Sequence, residues 1–493
     1  MIPTTRVFAL LATVLLLLTP FLASPHSPLG SNSNIGIHYP DVSDLDSKAV
    51  VRFSLHRTEL SPSALSRRAT MSVEHTEPVV QVSLTTVPKE YGYTATFSLG
   101  TFRSTTQPGQ QQHQQEHFNL LVDTGSDLVV VVSSECKYPE CVSMSHRYNA
   151  SASITARPTQ NRLTGTYRWA QLYGDGTVAN GSLVSDTIRF VSSSGTATLA
   201  GTDTKIRTGM GMEMETMLEV KDQTVLVVDQ PGLRLFKSYG AGVDGIIGLN
   251  LQSPIIAATV VQNLQEAEHL ASSTLSREAY PASSGLRIWD DGTKGMGFMS
   301  LWLSGSMERG KGGELLLNAV DRAKFRGEIR WSDRGPSPYD WAVQLDRGLL
   351  LRDAGTSASV VGTTWTVPGS DGSYAVIDSG SDGIYLPREM YDALFKQVPG
   401  SKQLANGYWR VPCEGTLEFC MGIGGAVYRI PYEEWVKKSD LGTSGGLPGM
   451  CQAKVFGSSP GPVLLGTAFL RSVYTVFDFS RPGYERVGFA ALA

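Results

Sequence analysis

From Tyr91 onward, β-type alternation of apolar and polar positions dominates the chain. The segment Tyr93-Thr94-Ala95-Thr96-Phe97-Ser98-Leu99-Gly100 is its clearest instance and ends at glycine, which predicts a half-buried strand running into a turn. Two shorter apolar runs have a different ending. Phe118-Asn119-Leu120-Leu121-Val122 leads into Asp123-Thr124-Gly125-Ser126, and Tyr374-Ala375-Val376-Ile377 leads into Asp378-Ser379-Gly380-Ser381. Each pair predicts a buried strand that stops at a tight turn with a carboxylate at its tip. An Asp-[Ser/Thr]-Gly triplet arises by chance in about one chain in three of this length at average residue usage. Two copies, each behind a strand and each with a second hydroxyl after the glycine, are a stronger signal.

The rest of the pattern is less regular. Residues 103–117, with the run Gln110-Gln111-Gln112-His113-Gln114-Gln115, predict a polar low-complexity loop. Stretches rich in Ser, Thr and Gly near 191–216, 265–297 and 354–372 read as insertions. Long helical patterns are few, charged residues make up 18%, and there are 51 glycines in 493 residues. Together these favour an all-β protein long enough for two domain-sized lobes. A net charge of −4 offers no electrostatic footprint for nucleic acid.

The N-terminus carries a compartment label. One basic residue, Arg6, precedes the apolar run from Val7 to Leu18, closed by Pro20, the pattern of a secretory signal peptide over 1–24. A membrane anchor needs about 20 apolar residues, so no stable anchor is expected. Residues 25–68 are rich in Ser, Pro and scattered charge and end in Leu65-Ser66-Arg67-Arg68, so they read as a pro-segment closed by a processing site. The destination is extracellular or vacuolar, reached through the secretory pathway. Two glycosylation sequons follow, at Asn149 and Asn180. Of five cysteines, Cys136 and Cys141 can close a small loop and Cys413 and Cys451 a longer one, while Cys420 sits in an apolar strand-like run as a buried thiol. Sequence alone leaves the pairing open.

Two carboxylates brought together from opposite halves of a chain repel and share one proton, so one serves as base and the other as acid at the same pH. That arrangement suits water activation. Ser126 and Ser381, three residues after each aspartate, are placed to hydrogen-bond the outer carboxylate oxygens; Thr124 and Ser379 are placed to tie the two turns together. Other chemistries fail. Gly442-Thr443-Ser444-Gly445-Gly446 fits the Gly-x-Ser-x-Gly pattern, but the histidine that should follow such a serine does not exist, the last being His269. His113 and His117 are spaced four apart without a third ligand at a metal-site spacing, so no metal or cofactor is expected.

With these motifs in place, the chain resembles pepsin-family aspartic peptidases from about Tyr91 to Ala490. The later apolar-apolar-Gly segments appear as Ile246-Ile247-Gly248 and Leu464-Leu465-Gly466, and the flap hairpin as Tyr173-Gly174-Asp175-Gly176-Thr177. The resemblance implies a bilobal pepsin-like acid protease fold, two β-rich lobes with a central substrate cleft, divided as 69–297 and 298–493. It implies Asp123 and Asp378 as the catalytic pair, Tyr173, Gly174 and Asp175 as the flap over substrate, and disulfides Cys136–Cys141 and Cys413–Cys451. It also implies a monomeric endopeptidase acting on proteins or peptides with bulky hydrophobic residues around the bond cut. Two positions depart from the family pattern. Val129 and Val130 stand where a tryptophan usually supports the flap tyrosine, and Thr467 follows the second apolar-apolar-Gly segment in place of an aspartate. The rival expectation is an inactive member acting as a binding or inhibitor protein.

Overall fold

A computed structural model describes residues 80–86, 92–103, 113–144, 146–174, 176–191, 217–231, 242–272, 286–287, 297–305, 312–354, 374–437, 447–458 and 461–493. The expected signal peptide, pro-segment, Asp175 and the 442–446 serine motif lie outside them. The described chain is mostly strand and forms the all-β, bilobal fold.

The same small motif is built twice. In the first half, strand His113–Asp123 runs parallel to Gly245–Gly248, with Leu120 opposite Gly245 and Asp123 opposite Gly248. Strand Val129–Val132 pairs antiparallel on the far side of Gly245–Gly248. In the second half, Tyr374–Ile377 runs parallel to Val463–Leu465, and Ile384–Pro387 pairs antiparallel to it. Val129–Val132 and Gly245–Gly248 are buried at every residue. Strands covered on both faces read as unbroken apolar runs rather than alternation, which is why Val129-Val130-Val131-Val132 and Gly245-Ile246-Ile247-Gly248 look as they do.

A large sheet joins the two halves. Its order runs from Phe325–Ser332 through Arg486–Leu492, Val473–Asp478, Phe298–Leu303, Gly313–Leu317 and Val80–Thr86 into Tyr93–Arg103 and His113–Asp123. The lobe boundary expected at 297/298 falls at the first residue of strand Phe298–Leu303, inside this shared sheet.

Two sequence expectations need correction. Residues 113–117 are not loop: they open strand His113–Asp123, with His113 opposite Arg103 and Gln114 opposite Phe102. Polar composition does not stop a hairpin whose other strand is anchored by Phe97, Leu99 and Phe102 in the core. The stretch 265–297 begins inside helix Val260–Ser272, which buries Val260, Val261 and Leu264, an i, i+1, i+4 face.

Candidate active site

Both aspartate turns sit at the ends of buried parallel strands, and the glycine behind each aspartate decides how closely the turns approach. A Cβ on Gly125 would stand 2.4 Å from Cγ of Asp378, and one on Gly380 would stand 2.3 Å from Oδ1 of Asp123. Each glycine α-carbon therefore lies against the other loop's carboxylate, at a range no other residue allows. Asp123 and Asp378 are both buried. The Gly125 amide donates to Asp123 Oδ1 at 2.9 Å and the Gly380 amide to Asp378 Oδ1 at 2.8 Å.

Thr124 and Ser379 interlock the turns. Ser379 Oγ accepts from the Thr124 amide (3.1 Å) and donates to the Val122 carbonyl (2.7 Å). Thr124 Oγ1 accepts from the Ser379 amide (2.9 Å) and donates to the Ile377 carbonyl (2.8 Å). The apolar-apolar-Gly strands brace the turns from behind: Leu249 N donates to Asp123 O, and Thr467 N to Ser381 O, both at 2.8 Å.

The two outer hydroxyls are not equivalent. Ser381 Oγ donates to Asp378 Oδ2 at 2.6 Å. Ser126 Oγ is buried near Asp123 and favours its charged form, but it stands outside hydrogen-bond geometry with any described residue. Burial above all, then the charge of Asp378 and a hydrogen bond with it, push the Asp123 carboxyl well above its ordinary range. Thr467 does not reach the pair; it is buried, and its Oγ1 donates to the Asp382 carbonyl at 3.2 Å.

The segment expected as the flap is a hairpin of Arg168–Leu172 and Val178–Val191, with Leu172 opposite Val178. Its turn closes by Tyr173 N to Thr177 O and Gly176 N to Tyr173 O, both 2.9 Å, with Gly176 at φ +82°. Trp169 and Tyr173 lie on the half-buried side of this strand and pack on the cluster containing Leu121, Val130 and Ile246. Trp169 Nε1 donates to Gln171 Oε1 at 2.9 Å. Val130, one of the two valines that stand where the family usually has a tryptophan, thus belongs to the cluster on which Trp169 and Tyr173 pack. Tyr173, Gly174 and the dyad line one cleft of about 1410 Å3.

Three carboxylates on this cleft escaped the sequence reading. Asp127 and Asp382, the fifth residues of the two turns, line it, as does Asp340. The repeat Asp-x-Gly-Ser-Asp was present in both turns as a signal.

Elsewhere, Cys136–Cys141 and Cys413–Cys451 are disulfide-bonded and Cys420 is a buried free thiol. Asn149 is half-buried and accepts from Ser151 Oγ. Asn180 lies within strand Val178–Val191, its carboxamide engaged by Arg168 and Gln230. No described helix is long and apolar enough to cross a membrane, and no described group of His, Cys, Asp and Glu is arranged to hold a metal ion.

A family model described as eukaryotic aspartyl protease matches residues 111–492. Among curated relatives, a probable aspartic-type endopeptidase CTSD of Arthroderma benhamiae is 26% identical over 76% of this chain and 58% of its own length. Gastricsin of Oryctolagus cuniculus is 26% identical over 83% of this chain and 85% of its own. The aspartic-type endopeptidase ctsD of Aspergillus fumigatus is 25% identical over 81% and 66%. The chain thus spans just over half the length of the first of these relatives. With a family match across 111–492 and two braced Asp-x-Gly-Ser turns facing one cleft, the chain belongs to the eukaryotic aspartyl protease family.

Proposed function

We propose that this protein is an aspartic endopeptidase that hydrolyses peptide bonds with a water activated between Asp123 and Asp378. The observation that carries the reading is the reciprocal approach of the turns, each glycine against the opposite carboxylate. Two carboxylates so close hold one proton between them. Asp378 accepts from both the Ser381 hydroxyl and the Gly380 amide and Asp123 from the Gly125 amide, so the better-solvated Asp378 is the ionised partner and the proton lies on Asp123. Asp378, steadied by Ser381 and Gly380, takes a proton from water as its oxygen attacks the peptide carbonyl. Asp123 gives its proton to the carbonyl oxygen, forming a neutral tetrahedral diol. As the C–N bond breaks, the proton on Asp378 passes to the leaving nitrogen and a diol hydroxyl returns its proton to Asp123, restoring the starting state. No covalent intermediate forms, and one chain supplies both aspartates, so the site works as a monomer.

Tyr173 and Gly174 close over the substrate, and bulky hydrophobic side chains flank the bond cut. The leader 1–24 directs secretion, to the exterior or a vacuole. The segment 25–68 is removed on maturation, lobes 69–297 and 298–493 enclose the cleft, and Asn149 and Asn180 are candidate glycan acceptors.

The test is a pH series from 2 to 7 on a denatured protein substrate, with and without pepstatin, beside Asp378→Asn. Pepstatin-sensitive cleavage lost in the variant is expected. Because burial and mutual repulsion hold the pair's shared proton to higher pH, the singly protonated pair persists upward, and the maximum lies away from the acid end of the series. Cleavage that survives Asp378→Asn refutes the mechanism, a maximum near pH 2 refutes the raised proton affinity of the pair, and a wild type silent at every pH favours the binding-protein reading.

A further inference from the structure

The second catalytic turn rests on a short helix, and that helix rests on a buried ion pair. Helix Thr467–Leu470 is buried at all four residues. Its first residue grips the turn twice, Thr467 N donating to Ser381 O at 2.8 Å and Thr467 Oγ1 to Asp382 O at 3.2 Å. Gly466, just before it, donates to Gly383 O at 2.9 Å, and a Cβ there would stand 2.4 Å from both Gly383 O and Ser381 O. Three successive carbonyls of the turn are therefore fixed to the start of this helix.

One helical turn does not hold itself in place. At its far end the Arg471 amide donates to Thr467 O at 3.0 Å, and Arg471 Nε pairs with Glu434 Oε2 at 2.5 Å. The two side chains are 7% and 16% exposed, so salt and water screen the pair little. Glu434 belongs to helix Tyr432–Trp435. Its Oε1 lies 2.8 Å from where a Cβ on Gly305 would stand, just past strand Phe298–Leu303 of the shared sheet. The neighbouring Ser304 carbonyl accepts from the Tyr93 hydroxyl at 3.0 Å. The pair thus sets the helix against the sheet that joins the lobes. The first turn is braced differently: Leu249 N donates to Asp123 O at 2.8 Å and Asn250 N to Ser126 O at 2.9 Å, and Asn250 is held in turn by a hydrogen bond from its Nδ2 to Asp340 Oδ1.

We propose that Glu434 and Arg471 are positioning residues for the second catalytic turn. Their ion pair fixes helix Thr467–Leu470, Thr467 fixes the carbonyls of Ser381 and Asp382, and the Ser381 hydroxyl thereby keeps its 2.6 Å hydrogen bond to Asp378 Oδ2. The inference rests on the endopeptidase reading above and adds to it two residues that act through the turn. Without the pair the turn drifts, and Asp378 loses part of the hydrogen bonding that favours its charged form. The dyad then no longer holds the water at its attacking distance.

The experiment compares the mature wild type with Arg471→Lys and with the double variant Glu434→Gln/Arg471→Met on one internally quenched peptide, across the same pH series. Active sites are counted by pepstatin titration, so that unfolded protein does not enter kcat. The double variant leaves no unpaired charge buried, and its melting temperature is expected to stay close to that of wild type. Its kcat per titrated site should nevertheless fall about ten- to hundredfold, with KM changed by less than about threefold. The acid limb of its pH profile should move to higher pH, because the charged form of the turn's carboxylate is less favoured. Arg471→Lys, which keeps the charge, should recover most of that loss. Wild-type kcat per titrated site in the double variant, with only the yield of titratable sites reduced, overturns the inference, and so does a loss carried by KM alone. A wild type that cuts nothing refutes the endopeptidase reading instead, an outcome seen before any variant is compared.

Discussion

At the scale of single residues, the site depends on what is absent as much as on what is present. The α-carbon of Gly380 lies where any side chain would meet Asp123, so Gly380→Ala must push the turns apart. Activity on a denatured substrate is expected to fall at least a hundredfold, with a lowered melting temperature beside it; near-normal kcat/KM would show that the turns have slack. Asp123 itself is costly to keep. A carboxyl whose folded pKa is raised contributes stability that is complete below the unfolded value of about 4 and lost as pH rises through the folded one. Asp123→Asn should therefore abolish cleavage yet raise the melting temperature at pH 7. A variant no more stable than wild type there contradicts the shift. The paired Asp-x-Gly-Ser turns were legible in the sequence because their chemistry repeats. The inequality of Ser126 and Ser381 was not, since it depends on side-chain placement that identical residues do not report.

At the scale of elements, the two turns behave as one part. Removing either hydroxyl of Thr124 or Ser379 leaves a buried amide of the opposite turn without its acceptor, at a cost of about 1–3 kcal/mol each. The double substitution should cost less than the sum, because each hydroxyl serves the same junction; denaturant melts of the two single variants and the double variant measure it, and strict additivity would mean that the turns are held independently. The flap offers a second case. Trp169 packs on the same cluster as Tyr173 and holds Gln171 at the cleft. Trp169→Ala is expected to lower kcat/KM about tenfold or more, with Trp169→Phe recovering most of it. Unchanged kinetics for the alanine variant would remove Trp169 from any part in flap placement. At Val129 and Val130 the sequence shows only a missing tryptophan. A partner on the flap strand was invisible there, because strand pairing rather than spacing brings the two regions together. The same holds for His113 to His117, whose polar run conceals a strand registered against Tyr93–Arg103.

At the scale of the molecule, wholly or partly buried acid recurs. Glu116, Asp123, Asp127, Glu314 and Asp382 are all raised, chiefly by burial. Asp392 is the described exception: burial pushes it up, but hydrogen bonds from Trp409 and Arg388 and the Arg388 charge bring it below the ordinary range. Since the raised group outnumbers it, stability should be greatest in mild acid and decline from about pH 4 to pH 7. Thermal melts across that range check this, and a melting temperature that climbs toward neutrality would contradict it. The two-lobed architecture was readable from duplicated motifs, but the sheet that joins the halves was not, because its strands carry no distinctive chemistry. That sheet sets the schedule by which the chain can be made. Val80 pairs with Leu317, 237 positions later (317 − 80), and Phe298–Leu303 awaits Val473–Asp478. At ribosomal rates of about 5–20 residues per second, the first wait lasts ~12–47 s. Through that interval the nascent first half presents a bare strand edge, the kind of surface on which neighbouring chains aggregate, so its safe production depends on something shielding that edge until translation delivers the partner.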